Sequence, residues 1–441
     1  MIRSFRNALA PINMIPPEIL TLIPDFWHGE DDSHLTALTH VCRAWREMFT
    51  SRSSLWARLD CENAEKTRVY LERSKSSPID LSLHRDECLL PCDPFFEIDC
   101  HAVERLVSLE IRVSPECLQD ITPRLSHPAP LLENLAIEVD RIPQPEFYHA
   151  ITTTLFDGNI SLLRELSLHC IRTDLPWRNM ANLTSFTLTF TPPGEISTTQ
   201  LLDFFESAPH LQKVELLYVS PASVDQHDRL VSLMCLKELL ICDDQPAPPF
   251  IGHISIPVGA SLRTEIASHS RIEDHLPRSL INLRNLPDPT QLRLSVGAAD
   301  WDIEFVGPNG RLRLISFRSL VHPVRLVPEF LDWFNTSTIE VLEIVSRDLL
   351  HQSLACQLLL PMRALRTLTI SSCITLHHFI HALNPDVNSG GVLVCPRLEK
   401  LVLHTGGERG LDIEGMEAAR ESRGAKLKSV QIVDGVSDEE D

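Results

Sequence analysis

The sequence predicts an α/β protein in two parts, a small helical module at the N-terminus and a long solenoid of parallel strands and helices behind it. Three observations carry this prediction. Apolar residues recur at helical spacing before residue 60. A short apolar pattern then repeats at near-constant intervals from about residue 100. The chain is 441 residues long and 43% hydrophobic, enough for a large core, and a repeat fold extends its core along one axis.

In chain order we expect a leader at 1–11, a helical module at 12–60, a linking or capping segment at 61–99, the repeats at 100–433 and an acidic tail at 434–441. The leader, MIRSFRNALAPINM in its sequence context, holds two arginines, and its apolar segment is too short for a secretory signal. The tail, GVSDEED, is expected to be disordered.

The module begins with IPPEIL at 15–20. Proline is tolerated in a first helical turn, where its missing N–H has no partner to lose, and Glu18 suits the positive helix end. After the polar loop 28–33, Asp32 or Ser33 can cap the next helix. Leu35, Leu38, Val41, Cys42, Trp45 and Phe49 follow at spacings of three and four, which places them on one helical face. A short break, SRSS, leads to Leu55, Trp56 and Leu59.

These residues carry a resemblance. IPPEIL, LTHVCRAWREM and SSLW are together similar to the F-box motif of large fungal protein families. The stretch TRVYLERSKSSPIDLSL at 67–83 looks like the link that follows it there. Two positions depart from that pattern: Ile15 stands where leucine is usual, and Pro24 should kink or stop the first helix. The resemblance implies docking to a Skp-type adaptor, and through it to a cullin scaffold, by Ile15, Pro16, Pro17, Ile19, Leu20, Val41, Leu55 and Trp56. Trp45 is expected in the core instead.

The repeated pattern is apolar, two variable, apolar, one variable, apolar. It is seen in LVSLEI at 106, LENLAI at 132, LRELSL at 163, LTSFTL at 183, LQKVEL at 211, LKELLI at 236, IEVLEI at 339, LRTLTI at 365, LEKLVL at 398 and LKSVQI at 427. Weaker copies end at 292–294 and 315–317. The central residues are Leu109, Leu135, Leu166, Phe186, Val214, Leu239, Leu292, Ile315, Leu342, Leu368, Leu401 and Val430. Their spacing is close to that of leucine-rich repeats, about 20–29 residues with one strand per unit, so a leucine-rich repeat horseshoe is expected. The interval from Leu239 to Leu292 is about double, with room for a degenerate unit near Leu262 or Leu280. Amphipathic helices are expected at 200–206 and 328–334, and Pro130, Pro209, Pro361 and Pro396 stand just ahead of strands, where proline ends a helix. WDIEFVGPNGRLRLISF at 301–317 alternates around a turn and reads as a hairpin, an antiparallel insertion on one edge of the solenoid.

Little in the sequence points to chemistry. Net charge is −20, from 60 acidic and 40 basic residues, which repels phosphate backbones and argues against nucleic acid as a partner. No run of about 18 apolar residues marks a membrane span. The twelve cysteines lack CxxC spacing; Cys88, Cys92 and Cys100 do not fit zinc, and reduced buried thiols in the cytoplasm or nucleus are expected. His377, His378 and His381 form HHxxH without the glutamate of a zinc protease, and favour a plain histidine-rich helix face over a metal site. The SGG at 389–391, GERG at 407–410 and the pair Asp243 and Asp244 have no catalytic context. No cofactor, metal or enzymatic activity is expected.

The F-box resemblance implies the substrate-recognition subunit of an SCF-type ubiquitin ligase, whose repeats would hold a target protein. The alternative is a leucine-rich repeat scaffold without ligase association. Target contacts are expected on the strand face, at residues lying between two apolar neighbours: Glu110, Ala136, Ser167, Thr187, Glu215, Leu240, Arg293, Ser316, Glu343, Thr369, Val402 and Gln431. Glu215, Arg293, Glu343 and Gln431 are the leading candidates.

Overall fold

The computed structural model describes residues 11–20, 22, 33–61, 63–84, 98–139, 149–151, 155–173, 180–191, 196–219, 221, 229–242, 250–265, 272, 276, 283, 288–297, 300–316, 327–328, 331, 333–346, 350–372, 375–388, 390–405 and 410–433. Residues 1–10 of the leader, Pro24, Asp32, Cys88, Cys92, Asp243, Asp244, Leu280, three of the seven residues of the expected helix at 328–334, most of the GERG and the acidic tail lie outside these residues. The chain divides into two compact units, Met1–Leu183 and Thr184–Asp441.

In the first unit, helix α1 (Pro17–Leu20) starts on proline, with the Leu20 N–H donating to the Pro16 carbonyl at 3.1 Å. The apolar pattern of 35–49 forms two helices, α2 (Ser33–Val41) and α3 (Arg43–Ser51), rather than the single face expected. Cys42 separates them in an extended conformation, φ −157° and ψ 173°. Leu35, Leu38, Trp45 and Phe49 are buried, whereas Val41, at the end of α2, is 56% exposed. Helix α4 (Ala64–Ser74) is capped by the Asn63 side chain, which accepts from the N–H groups of Glu65 and Lys66.

Five parallel strands of this unit pair in chain order: β1 (Arg58–Asp60), β2 (Ile79–His84), β3 (Leu106–Val113), β4 (Asn134–Val139) and β5 (Glu165–His169). Their register aligns Leu59, Leu81, Leu109, Leu135 and Leu166, all buried. The rank of leucines therefore starts at residue 59, fifty residues before the first central leucine of the sequence pattern, Leu109. The segment 61–99 contributes a helix and a strand to this unit. A short parallel pair, His149–Ile151 with Ile171–Thr173, completes the described strands here.

The second unit opens with β6 (Ser185–Thr189), β7 (Lys213–Leu217), β8 (Glu238–Cys242) and β9 (Ser261–Glu265), again parallel and in order. Leu262 is buried on β9 and fills the long interval with the expected degenerate copy. Helix α7 (Thr198–Ser207, following α5 at Cys100–Val103 and α6 at Pro115–Ile121) extends the expected 200–206 helix by its capping box, in which Ser197 and Gln200 bond each other's backbone. Phe204 of α7 packs on Phe186 of β6 at 4.4 Å between ring centroids. Phe190 and Tyr218, each the first residue past its strand, hold φ of 51° and 56° and stack at 4.4 Å.

Chain order then breaks. β10 (Gln291–Val296), β11 (Trp301–Gly307) and β12 (Gly310–Ser316) form an antiparallel meander, and β9 pairs with β12 rather than β10. The expected hairpin is present, but it lies inside the sheet of this unit, between β9 and β10, and not at an edge. Its register also corrects the repeat alignment. Leu312, not Ile315, stands beside Leu262, and Arg313 beside Arg263. Ile315 and Ser316 are both buried, so the expectation of an outward Ser316 is wrong. A shift of three residues reverses which side chains face out, because the side-chain period of a strand is two. β10 then pairs with β13 (Val341–Ser346), followed in parallel order by β14 (Thr367–Ser372), β15 (Lys400–His404) and β16 (Ser429–Val433). Helices α8 (Gln352–Leu359), α9 (Leu376–Leu383) and α10 (Ile413–Ser422) fill the connections, α8 packing on α9.

Helix α10 carries a buried guanidinium. Arg420 donates to the carbonyls of Leu383, Val394 and Cys395, the two closest at 2.8 Å. Among the described residues eight cysteines are free thiols. Cys117 is disulfide-bonded, which departs from the expectation that every thiol is reduced.

Candidate functional site

Two surfaces carry the functional residues anticipated from sequence. The first is the N-terminal module. Its core is Leu20, Leu38, Trp45 and Phe49, with Ile15, Cys42, Met48 and Leu55 packed against it. Trp45 meets Phe49 edge-on at 5.7 Å. Trp56 is fully buried beside this core. Its indole N–H donates to the Phe49 carbonyl at 2.9 Å, its ring meets Tyr70 edge-on at 4.9 Å, and the Arg73 guanidinium lies 4.3 Å from it. Two of the eight anticipated adaptor contacts, Leu20 and Trp56, thus bury their side chains within the unit. Their apolar area is used to hold α1 and the 53–56 turn in place, and cannot also face a partner. Ile15 and Leu55 are half-buried, and the Pro17 side chain lies outside the described atoms.

Among its exposed side chains the module also carries apolar ones. Pro16, Ile19 and Val41 are open to solvent, Ile19 at 53%. Ile12, Met14 and Leu22, which the sequence pattern did not single out, are exposed as well. A signal was available: they flank IPPEIL on both sides, where an isolated helical module would carry polar residues.

The second surface is the strand face of the second unit. Side chains alternate along each strand, and the residue between two buried ones points away from the core. Glu215 is outward but not free. It accepts from the Thr187 hydroxyl at 3.1 Å and pairs with Lys213 at 2.8 Å, with 23% of its side chain exposed. Glu343 pairs with Arg293 on the neighbouring strand at 3.7 Å, both about half exposed. Gln431 is exposed on the last strand. Val402 is buried and offers no contact.

The structure adds residues to this face. Cα register lines up Arg263, Arg313, Glu304, Arg293 and Glu343 across five adjacent strands. Arg313 clamps Asp302 with contacts of 2.6–3.1 Å, and that hydrogen bonding raises the guanidinium above its ordinary pKa. Arg263 holds Glu265 at 2.9 Å. The charges are therefore concentrated around the meander and mutually paired, with Leu240 on one side and Thr369 and Val402 on the other. Arg313 was legible as a single polar residue between Leu312 and Leu314, and the alignment on Ile315 hid it; Arg263 was not, since Thr264 follows it.

Among the described residues no constellation resembling a reaction centre emerges. Among the described residues no group of three His, Cys, Asp or Glu side chains could hold a metal ion. His377 and His381 are exposed on α9, and the His377 ring lies 3.8 Å from that of His378, tilted by 45°. No helix among the described residues is long and apolar enough to cross a membrane.

Comparison with known families gives one result for this geometry. A family model described as F-box-like matches residues 12–62, which spans α1 to α3, the 53–56 turn and β1. The match suggests in general terms a substrate-adaptor role in ubiquitin ligation, and binding to a Skp-type adaptor. No curated protein matches the chain.

Proposed function

We propose, from the F-box-like match at residues 12–62, that this chain is the substrate-recognition subunit of an SCF-type ubiquitin ligase. One observation carries the reading: the matched stretch presents Pro16, Ile19 and Val41 to solvent instead of burying them. Exposed apolar side chains on a small module mark a protein-binding surface. The adaptor would in turn join the chain to a cullin scaffold.

The ordered parallel strands with their aligned leucines support a leucine-rich repeat solenoid, whose strand face holds the target. Glu215, Arg293, Glu343 and Gln431 are the contacts we propose, with Arg263 and Arg313 beside them. The mechanism is proximity. A receptor held beside a ubiquitin-loaded enzyme raises the target's effective concentration there and needs no catalytic residue of its own. Such work belongs to the cytoplasm or nucleus.

Co-purification with a Skp-type adaptor tests the reading. The full chain should capture the adaptor at micromolar concentration, and Ile19→Asp with Val41→Asp should abolish capture while leaving far-UV circular dichroism unchanged, since both side chains are exposed. Absence of capture by the wild-type chain would make it a repeat scaffold without ligase association.

A further inference from the structure

We propose that the turns leading into β14, β15 and β16 form a second binding surface, at the entry end of these strands, that takes a short acidic segment of a protein partner. The proposal does not depend on the F-box reading. Each turn exposes a cation on both sides of a buried leucine: Arg363 and Arg366 around Leu365, Arg397 and Lys400 around Leu398, Lys426 and Lys428 around Leu427. The turns are neighbours. The Glu399 N–H donates to the Arg366 carbonyl at 2.9 Å, and the Lys428 N–H to the Glu399 carbonyl at 2.8 Å.

In a chain of net charge −20 this is a local excess of positive charge. Residues 363–366, 397–400 and 426–428 hold six cations and one acid, Glu399. Carboxylates of the same unit meet half of the cations. Glu340 pairs with Arg366 at 3.9 Å, Glu399 with Lys428 at 2.8 Å and Glu421 with Lys426 at 2.6 Å. The hydrogen bond from Lys428, with the charges of Lys428 and Arg366, holds the Glu399 carboxyl below the usual carboxylate range. Arg363, Arg397 and Lys400 have no carboxylate partner among the described residues.

The turn that carries Arg397 is held fixed. Cys395 has φ 47°, a strained conformation for a residue with a Cβ. The Arg420 guanidinium donates to the Val394 and Cys395 carbonyls at 2.8 Å each, and the Cys395 thiol donates to the Leu359 carbonyl at 3.3 Å. A group already fixed loses little entropy when it meets a ligand. Leu360 and Val392, both exposed, stand a few residues ahead of Arg363 and Arg397 and give the surface apolar edges.

Charge selects the occupant. At physiological ionic strength fields decay over about 8 Å, so a short segment lying on these turns is screened from the rest of the acidic chain. A membrane or a nucleic acid is an extended anionic surface, and the remaining acids repel it. The cations are set out strand by strand, about 4.8 Å apart at the backbone, and do not converge on one point. That arrangement fits carboxylates on separate residues better than the clustered oxygens of one phosphate.

Fluorescence anisotropy of labelled hexaglutamate with the full chain tests this. Binding should saturate in the micromolar range at low salt and weaken as salt rises. Arg363→Glu with Arg397→Glu and Lys400→Glu should weaken it about tenfold or more. If that variant fails to fold by circular dichroism, Arg363→Gln with Arg397→Gln and Lys400→Gln should show a smaller loss in the same direction. Arg68→Glu with Arg164→Glu and Lys237→Glu, the same change of net charge at exposed positions elsewhere, should leave binding nearly unchanged. Absence of binding by the wild-type chain overturns the proposal, and so does an equal loss in the second charge-reversed variant. Cosedimentation with phosphatidylserine vesicles that the first variant abolishes would overturn it as well, by making lipid the occupant.

Discussion

Replacing Trp56 by alanine separates a structural role from a docking role at a position that the sequence motif marks for docking. The side chain has no solvent exposure. Its removal leaves a cavity between Phe49 and Tyr70, costs the edge-on contact at 4.9 Å and the Arg73 guanidinium at 4.3 Å, and orphans the Phe49 carbonyl. Truncation of a buried tryptophan costs about 3–5 kcal/mol, a range that includes the cavity term. The orphaned carbonyl, worth about 1 kcal/mol or more, places the expected loss in the upper half of it. Trp56→Phe keeps most of the packing and loses the N–H, so about 1–2 kcal/mol is expected. The chain has two units, and a single melting midpoint would mix them. Amide exchange of α3 and α4 in the full chain is therefore the assay, since both helices flank the ring and their opening energies should fall together. A loss below about 1 kcal/mol for Trp56→Ala, the level of an ordinary surface substitution, would refute the buried role and return Trp56 to the docking surface.

Other outcomes follow from the same structure. Glu215→Lys with Glu343→Lys should leave circular dichroism unchanged, since both carboxylates reach solvent at least in part and such surface ion pairs contribute about 0–1 kcal/mol each, yet should reduce capture of target proteins by affinity purification. Unchanged capture would move recognition off this face. Arg420→Ala should destabilise the second unit by about 3 kcal/mol or more, because the carbonyls of Leu383, Val394 and Cys395 lose a charged donor in a dry site; urea denaturation followed by amide exchange on α9 and α10 reads this. Burial pushes the Cys395 thiol up to about 12. At pH 8 only about one part in ten thousand is thiolate, so iodoacetamide should label the exposed Cys100 and Cys235 and leave Cys395 unmodified. Labelling of Cys395 in the native chain at a comparable rate would show that its pocket opens.

The helical module and the strand ladder were legible because each rests on local periodicity. Leu35, Leu38, Trp45 and Phe49 sit at helical spacing and are buried, and the apolar residues flanking Glu215 and Glu343 sit at strand spacing and are buried. Motif positions were less informative about roles. IPPEIL and LW mark residues that recur together, but recurrence does not distinguish a side chain that meets a partner, such as Ile19, from one that holds the module together, such as Trp56.

The sequence by itself determined the class of each element and the faces that turn inward, since a strand's period of two and a helix's period of 3.6 are properties of the local backbone. It determined the repeat and its spacing in the same way. Only the tertiary structure decided which strands are neighbours. The meander at 291–316 reverses strand order, makes Leu312 and not Ile315 the neighbour of Leu262, and brings Arg313 into line with Arg263 and Glu304. It also carried the leucine rank back to Leu59 and Leu81. Pairing between strands is a long-range choice, made by hydrogen bonds and burial across segments far apart in the chain, and the local pattern of a single strand satisfies several registers equally well.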